Sequence, residues 1–223
     1  MPTIITVLMT CAYWGNETAN SEEKAVSNAL STLAPSQNPD GKSNKRLRDL
    51  RRYPATLGLY GVGLTSIAAE NWSLISYLLT QPIEVSHPRG RQPMEKNLVE
   101  ELHPRYLTRE WGRGFDREGA EESLRSSMKE TLCDPALEFF TSETMFEREF
   151  KRFEVILDLL WYAQGNGDDV VSLGTTYWGE SIDELEAEIE QQGTEWPLIR
   201  EGVLEIDGSE AIELLDTIRE DLH

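Results

Sequence analysis

The sequence of 223 residues predicts an all-α protein, an irregular helical bundle built from helical hairpins with at most one short strand pair. Apolar residues recur at spacings of three and four in several separate segments, as they do along one face of an α-helix. A single segment, residues 170–178, has the composition of a short strand. The hydrophobic fraction of 39%, with six Trp and six Phe, is typical of a chain that folds around a core.

Two helices are predicted before the first clear loop. Residues 3–14 are apolar nearly all round, which is typical of a buried helix. The second helix covers about residues 21–34, and residues 35–43, rich in Pro, Ser, Asn, Asp and Gly, form the loop. We expect Cys11 and Cys133 to be buried in helices, and two cysteines are too few for a disulfide framework.

The segment from Arg52 to Pro82 is the most informative in the chain, because it reads as two helices joined at Glu70–Asn71. Glycines inside the first helix each cost up to about 1 kcal/mol relative to alanine, and close approach of another helix is the natural compensation. We expect the glycines to lie where the two helices of this hairpin touch, and the hairpin to be a docking surface. The predicted helix-packing residues are Gly58, Gly61, Gly63 and Tyr60.

Residues 83–117 are less regular, since they contain several prolines and glycines. We expect this segment to cross between helical layers, with short helices near residues 94–102 and 105–111.

The second half of the chain has the strongest helical periodicity. A stripe of aromatic and aliphatic residues runs through residues 146–160, and residues 155–162 are apolar on nearly every side, which predicts a helix in the centre of the core. Ser181 to Glu184 has the pattern of a capping box and predicts the start of the next helix. The final helix is predicted to start near Ser209.

Charge divides the chain into two unequal halves. Residues 1–117 carry 14 Lys and Arg against 12 Asp and Glu, whereas residues 118–223 carry 7 against 28. The halves therefore stand at +2 and −21, and only six of the 21 basic residues are Lys, a composition that resembles proteins of salt-loving microbes. We predict one helical domain over 1–223, with a possible subdivision into a hairpin half (1–82) and an acidic helical half (118–223), joined by irregular residues 83–117.

Catalytic and metal-binding signatures are absent from the sequence. The three His residues are scattered, no Gly-x-Ser-x-Gly elbow occurs, and two distant Cys residues offer no metal-ligand spacing. We therefore predict a protein that is not an enzyme and that has no metal or other cofactor. The apolar run at residues 4–14 is too short to span a bilayer, so we expect a cytoplasmic protein with no membrane partner.

Two basic segments contrast with the acidic background. One lies at the start of the hairpin, and the other alternates arginines with aromatic residues, a mixture that single-stranded nucleic acid can use. Pairing with the acidic half of the chain is the competing interpretation, and an acidic protein partner is a third. The candidate partner- or anion-binding residues are Lys45, Arg46, Arg48, Arg51, Arg52, Arg105, Arg109, Trp111 and Arg113.

Several of these features together resemble a known helical region. The residues that carry the resemblance are Tyr13-Trp14, Arg52-Tyr53-Pro54 with Leu57, Tyr60 and Gly63, Phe153-Glu154 with Leu157, Leu160 and Tyr162, and Trp196-Pro-Leu with Gly202. They are similar to a helical region at the C-terminal end of large bacterial and archaeal proteins, where it follows a SIR2-like or a Schlafen/AlbA-type domain. Many of those proteins are suspected to act in defence against phage. We read no such front domain in the 223 residues, so we take the resemblance to imply a sensing, scaffolding or assembly role beside an effector, with no NAD or nucleotide chemistry transferred to these residues.

The sequence thus favours a non-catalytic helical protein-interaction module with a sensing, scaffold or regulatory role, which binds a partner or itself. Two alternatives stay open. One is a regulator that binds nucleic acid through the arginines or mimics it through the acidic half, and the other is an enzyme without a readable motif.

Overall fold

A computed structural model describes residues 2–15, 19–33, 45–85, 94–104, 117–165 and 178–221. Within these residues the protein is an all-α bundle with one short antiparallel strand pair, so the predicted fold class is confirmed. The elements of the first part of the chain are α1 (Pro2–Trp14), α2 (Ala19–Leu33), α3 (Lys45–Ala68), α4 (Trp72–Thr80), β1 (Pro82–Val85), β2 (Met94–Asn97) and α5 (Leu98–Leu102).

In the described part of the acidic half all regular secondary structure is helical. A 3₁₀ turn at Gly193–Glu195 separates two of its helices. Its α-helices are α6 (Arg117–Ala136), α7 (Glu143–Ala163), α8 (Gly179–Gln192), α9 (Pro197–Arg200) and α10 (Gly208–Asp221).

Two long helices, α3 and α7, form the centre of the core. Every residue from Ala55 to Ile67 on α3 is buried, and so is every residue from Phe153 to Tyr162 on α7, as the sequence predicts for the latter. The two helices pack against each other, α1 and α2 cover α3, and α8 and α10 cover α7. Burying these apolar side chains provides the main driving force for folding.

The turn between α3 and α4 is a helix-terminating Schellman motif. The Asn71 N–H donates to the Ser66 carbonyl at 2.8 Å, and the Glu70 N–H donates to the Ile67 carbonyl at 3.0 Å. Glu70 has a φ of +54°, a conformation in which glycine is normally found. The Asn71 side chain then accepts a hydrogen bond from the Leu74 N–H, which caps the start of α4. The predicted hairpin turn at Glu70–Asn71 is confirmed.

The predicted capping box at Ser181 is wrong, because α8 already begins at Gly179 and Ser181 is buried inside it. Trp178 occupies the N-cap position and provides no side-chain cap. Its ring is fully buried and makes a side-chain hydrogen bond with Glu154 of α7. A tertiary contact therefore fixes the start of this helix where the sequence indicates a local one.

The strand pair lies where the sequence predicts a helix, so the helix expected over residues 94–102 is only partly right. Residues 94–97 pair antiparallel with β1, with Pro82 opposite Asn97 and Val85 opposite Met94, and only residues 98–102 are helical. The β-branched Ile83 and Val85 suit a strand. The helix predicted at 105–111 lies outside the described residues, as does all but Trp178 of the predicted strand at 170–178.

Candidate functional site

The glycines of α3 lie at helix contacts, but not at the contact predicted for them. A Cβ added at Gly58 would meet Leu30 of α2 at 2.7 Å, and one added at Gly61 would meet Met9 of α1 at 3.0 Å. At Gly63 an added Cβ would lie 2.2 Å from the Phe153 ring of α7. The expectation that these glycines face α4 is therefore wrong, because α4 leaves α3 at the Schellman turn while α1, α2 and α7 cross its glycine face.

Burial of this face removes it as a docking surface. Tyr60 is also buried, with its ring centroid 5.3 Å from those of both Phe150 and Phe153. Burial, followed by the nearby charges of Glu154 and Asp158, raises the pKa of the Tyr60 hydroxyl well above its usual value. The prediction that the glycine-bearing helix binds a partner is wrong for its glycine face, which is part of the core.

The predicted basic residues lie mostly outside the part of the chain whose side chains are described. Lys45, Arg46, Arg48 and Arg51 occupy the first two turns of α3, where only the backbone is described, and the Arg52 side chain is half-buried. The second segment, with Arg105, Arg109, Trp111 and Arg113, falls outside the described residues.

Basic side chains of the acidic half form ion pairs between helices. Arg148 and Arg152 of α7 bind Glu184 and Glu188 of α8, and Arg219 of α10 also binds carboxylates of α8. The hydrogen bond to Glu184 raises the pKa of the Arg148 guanidinium above its usual value. In this half, internal pairing accounts for these arginines.

The outward face of α1 is an exposed apolar surface. Trp14 is 71% exposed, Val7 55% and Ile4 51%, and Cys11 is also exposed. The predictions that α1 is buried all round and that Cys11 is buried are therefore wrong, since only its other face, with Ile5, Leu8, Met9 and Ala12, packs into the core. We call Ile4, Val7, Cys11 and Trp14 the α1 stripe. Cys133 is half-buried rather than buried.

Spacing and lack of charge distinguish the α1 stripe from ordinary surface. Its residues are separated by three, four and three positions, which is the spacing of a helix-pairing seam. No charged residue occurs anywhere in α1. The surface adjoins the turn between α6 and α7, since the Tyr13 ring lies 5.1 Å from that of Trp14 and 5.2 Å from that of Phe139 in this turn. Leu137 of the same turn is exposed as well.

A buried pair of unlike charges lies between α6 and α7. Arg125 Nε lies 3.0 Å from both carboxylate oxygens of Glu154, and the guanidinium stacks 5.2 Å above the Trp178 ring. Burial of the 4% exposed Glu154 side chain outweighs the attraction of Arg125 and raises the pKa of the carboxyl to about 7.

One turn further along α7, a second buried pair joins this helix to His103, the residue that directly follows α5. His103 Nε2 lies 3.1 Å from Asp158 Oδ1, and the imidazole packs 4.9 Å from the Trp161 ring. Among the described residues no group of three or more His, Cys, Asp or Glu is arranged to hold a metal ion.

In the sequence the buried carboxylates of α7 are hard to distinguish from surface acids. Glu149, Glu154 and Asp158 occur in a half that contains 28 acidic residues, so their identity alone does not separate them from solvated ones. Their positions within the apolar stripe of α7 could have identified them, because an ionisable residue in such a stripe must find a partner or a cavity.

The comparisons with known proteins found no relatives. No model of a protein family, no curated protein and no solved structure matches the chain. Among the described residues no helix is both long and apolar enough to cross a membrane.

Proposed function

We propose that this protein is a non-catalytic helical interaction module that associates with a second copy of itself through the α1 stripe. The observation that carries this proposal is the exposed, uncharged stripe at pairing-seam spacing on a chain whose net charge is −19. Monomeric proteins rarely keep a contiguous apolar surface of this kind in water.

The charge distribution favours a second copy as the occupant. Two chains of −19 repel each other, but the excess lies in residues 118–223, at −21, while residues 1–117 carry +2. Contact through the uncharged α1 joins two chains at their nearly neutral halves, with only the α6–α7 turn of the acidic half beside the seam. A strongly basic partner would instead be drawn to the acidic half.

The size of the surface predicts a weak dimer. A 13-residue helix is about 20 Å long, so pairing two copies of α1 buries roughly 400–500 Å² on each. The total lies below the standard size of a stable interface and corresponds to a transient one. A module of this kind is suited to regulated assembly.

Sedimentation velocity over a range of protein concentrations tests this association. The wild-type chain is expected to shift towards a dimer at high concentration, whereas Val7→Glu places a carboxylate in the seam and keeps the chain monomeric. Gln191→Glu adds the same charge on the exposed face of α8 and serves as the matched control. A wild-type chain that stays monomeric at every concentration, or a Val7→Glu chain that still dimerises, contradicts the proposal.

The biological setting follows from the resemblance of the residues quoted above. It supports a regulatory or sensing subunit of an antiviral defence system, and the two free cysteines suit a cytoplasmic protein. The tagged chain purified from its host is expected to retain a protein with a catalytic domain. If Val7→Glu retains that protein as well as wild type does, the effector does not depend on the α1 stripe.

A further inference from the structure

A cleft of about 650 Å³ opens between the α3–α4 turn and helices α7, α8 and α9. Its volume is within the usual range for small-molecule sites. Trp72, Met145 and Pro197 contribute apolar walls, and Glu70, Gln192 and Arg200 contribute polar groups. It is remote in sequence from the α1 stripe and shares no residue with it.

Two buried polar atoms on residues that line this cleft make no hydrogen bond. Glu149 lines the cleft with a side chain only 8% exposed, and its buried Oε2 atom has no hydrogen-bond partner. Arg152 also lines the cleft, and its buried Nε likewise has none. A buried polar atom without a partner costs about 1–3 kcal/mol, so satisfying both atoms would favour binding.

The two orphaned atoms form a matched donor and acceptor. They lie 3.9 Å apart, which is too far for a direct hydrogen bond. The other guanidinium nitrogens of Arg152 are occupied, because Nη1 and Nη2 both donate to Glu188, at 2.8 and 2.6 Å. The Nε–H of Arg152 and the Oε2 of Glu149 thus lie side by side, one a donor and the other an acceptor, and neither makes a hydrogen bond.

The charges around the cleft favour a neutral occupant. A cation would satisfy Glu149 but would leave Arg152 Nε orphaned and would stand beside its positive charge. An anion would accept from Arg152 Nε, but it would leave Glu149 Oε2 without a donor and would stand beside the negative charge of Glu149. The carboxylates of Glu70, Glu149 and Glu188 nearly balance the guanidiniums of Arg152 and Arg200, so the cleft has no strong preference for either sign.

We propose that this cleft binds a neutral small molecule whose ring packs on the apolar walls and presents a hydrogen-bond donor to Glu149 beside an acceptor to Arg152. A carboxamide has this arrangement in its NH₂ and C=O groups, and a sugar has it in two neighbouring hydroxyls. Trp72 provides an aromatic surface suited to either ring.

Three probes that share one ring test the charge selectivity. Benzamide both donates and accepts, benzylamine is a cation that only donates, and benzoate is an anion that only accepts. Methyl glucoside is a fourth probe for the diol class. Each probe is titrated into the full chain and its binding is measured by saturation-transfer NMR. Benzamide or the glucoside is expected to bind at least tenfold more tightly than either charged probe. Whichever neutral probe binds identifies the source of the chemistry; no preference for a neutral probe overturns the proposal.

Glu149→Met separates a binding role from a structural one. It removes the orphaned carboxylate while keeping an apolar side chain of similar length, so Tm is expected to stay the same or rise, while affinity for the neutral probe falls at least tenfold. Glu190→Met, on the exposed surface of α8 outside the cleft, is the matched control and should change neither. A lower Tm in Glu149→Met, or unchanged affinity, overturns the proposal. Val7→Glu is expected to bind the probe normally, which keeps this test distinct from that of dimerisation.

Discussion

Glu149 and Glu154 lie little more than one turn apart on α7, and both are buried, yet they are held in different ways. Glu154 accepts from Arg125 with both oxygens and makes a hydrogen bond with Trp178. Glu149 lines the cleft, and its buried Oε2 has no hydrogen-bond partner, with Arg152 Nε 3.9 Å away. Desolvation raises the pKa of both carboxyls, but only Glu149 has an unpartnered oxygen on a residue that lines the cleft, which is why we propose a ligand there. Arg125 Nη2 is also buried without a hydrogen-bond partner, but Arg125 does not line the cleft.

The largest expected effect comes from breaking the Arg125–Glu154 pair, in which both carboxylate oxygens accept hydrogen bonds. Arg125→Met leaves Glu154 buried and uncompensated, which is expected to cost about 3–5 kcal/mol of unfolding free energy at pH 8. Urea unfolding measures it. Arg219→Met removes an arginine from the half-exposed pairs of α10 and should cost less than about 1 kcal/mol. Equal costs for the two variants would show that Glu154 does not depend on Arg125.

The pH dependence of stability tests the environment of Glu154. Its pKa is about 7 in the folded protein, above the ordinary value of 4.5, so the folded state binds the proton more tightly than the unfolded state does. Stability is therefore greater at low pH, and about 3 kcal/mol is lost as pH rises from 4.5 through 7. Glu154→Gln cannot titrate, so wild type should lose stability relative to this variant across that range. A constant difference between them contradicts the raised pKa.

Two positions on α3 differ in how tightly they are packed: Gly63 lies against the Phe153 ring of α7, whereas Ala68 lines the cleft. Gly63→Ala puts a methyl group against the Phe153 ring and is expected to cost about 1–3 kcal/mol, because the ring has to move. Ala68→Leu adds more atoms but faces the cleft, so its cost should stay within about 0.5 kcal/mol. Thermal unfolding of both variants makes the comparison. A larger loss in Ala68→Leu would mean that the cleft is not open space.

The smallest expected effect comes from replacing Glu70, which lines the cleft at the α3–α4 turn. Gly202 ends α9 in the same hydrogen-bonded motif that Glu70 forms at the end of α3, with a φ of +70°. Glycine adopts this conformation without strain, so Glu70→Gly should raise the unfolding free energy by up to about 1 kcal/mol. Gly202→Glu is the reciprocal variant and should lower it. A stability loss in Glu70→Gly would show that the Glu70 side chain itself contributes to the turn.

Local periodicity predicted the helices, but the contacts between them depend on residues far apart in the chain. The spacing of Phe146, Phe150 and Phe153 placed α7 in the core. The partners of Gly58, Gly61 and Gly63 could not be read in the same way, because Leu30, Met9 and Phe153 belong to three other helices. Similarly, a serine in a capping pattern at 181 carries no information about the tertiary contact of Trp178 that starts α8 earlier.

The candidate surfaces were harder to predict than the fold. An uncharged apolar helix such as α1 reads as fully buried, since the sequence does not show on how many sides it is covered. Glu149 looks like any other acid until the cleft and the distance to Arg152 are known. In both cases the deciding quantity is exposure or distance, and neither is encoded in local spacing.

Thiol reactivity of Cys11 tests the central claim, association through the α1 stripe, most directly. Cys11 lies within the stripe and is exposed in a single chain, and Cys133→Ser removes the other thiol. The labelling rate of Cys11 by a thiol reagent is expected to fall several-fold as protein concentration rises through the dimerisation range, and to stay constant in Val7→Glu. A rate that is independent of concentration in both chains would contradict association through α1.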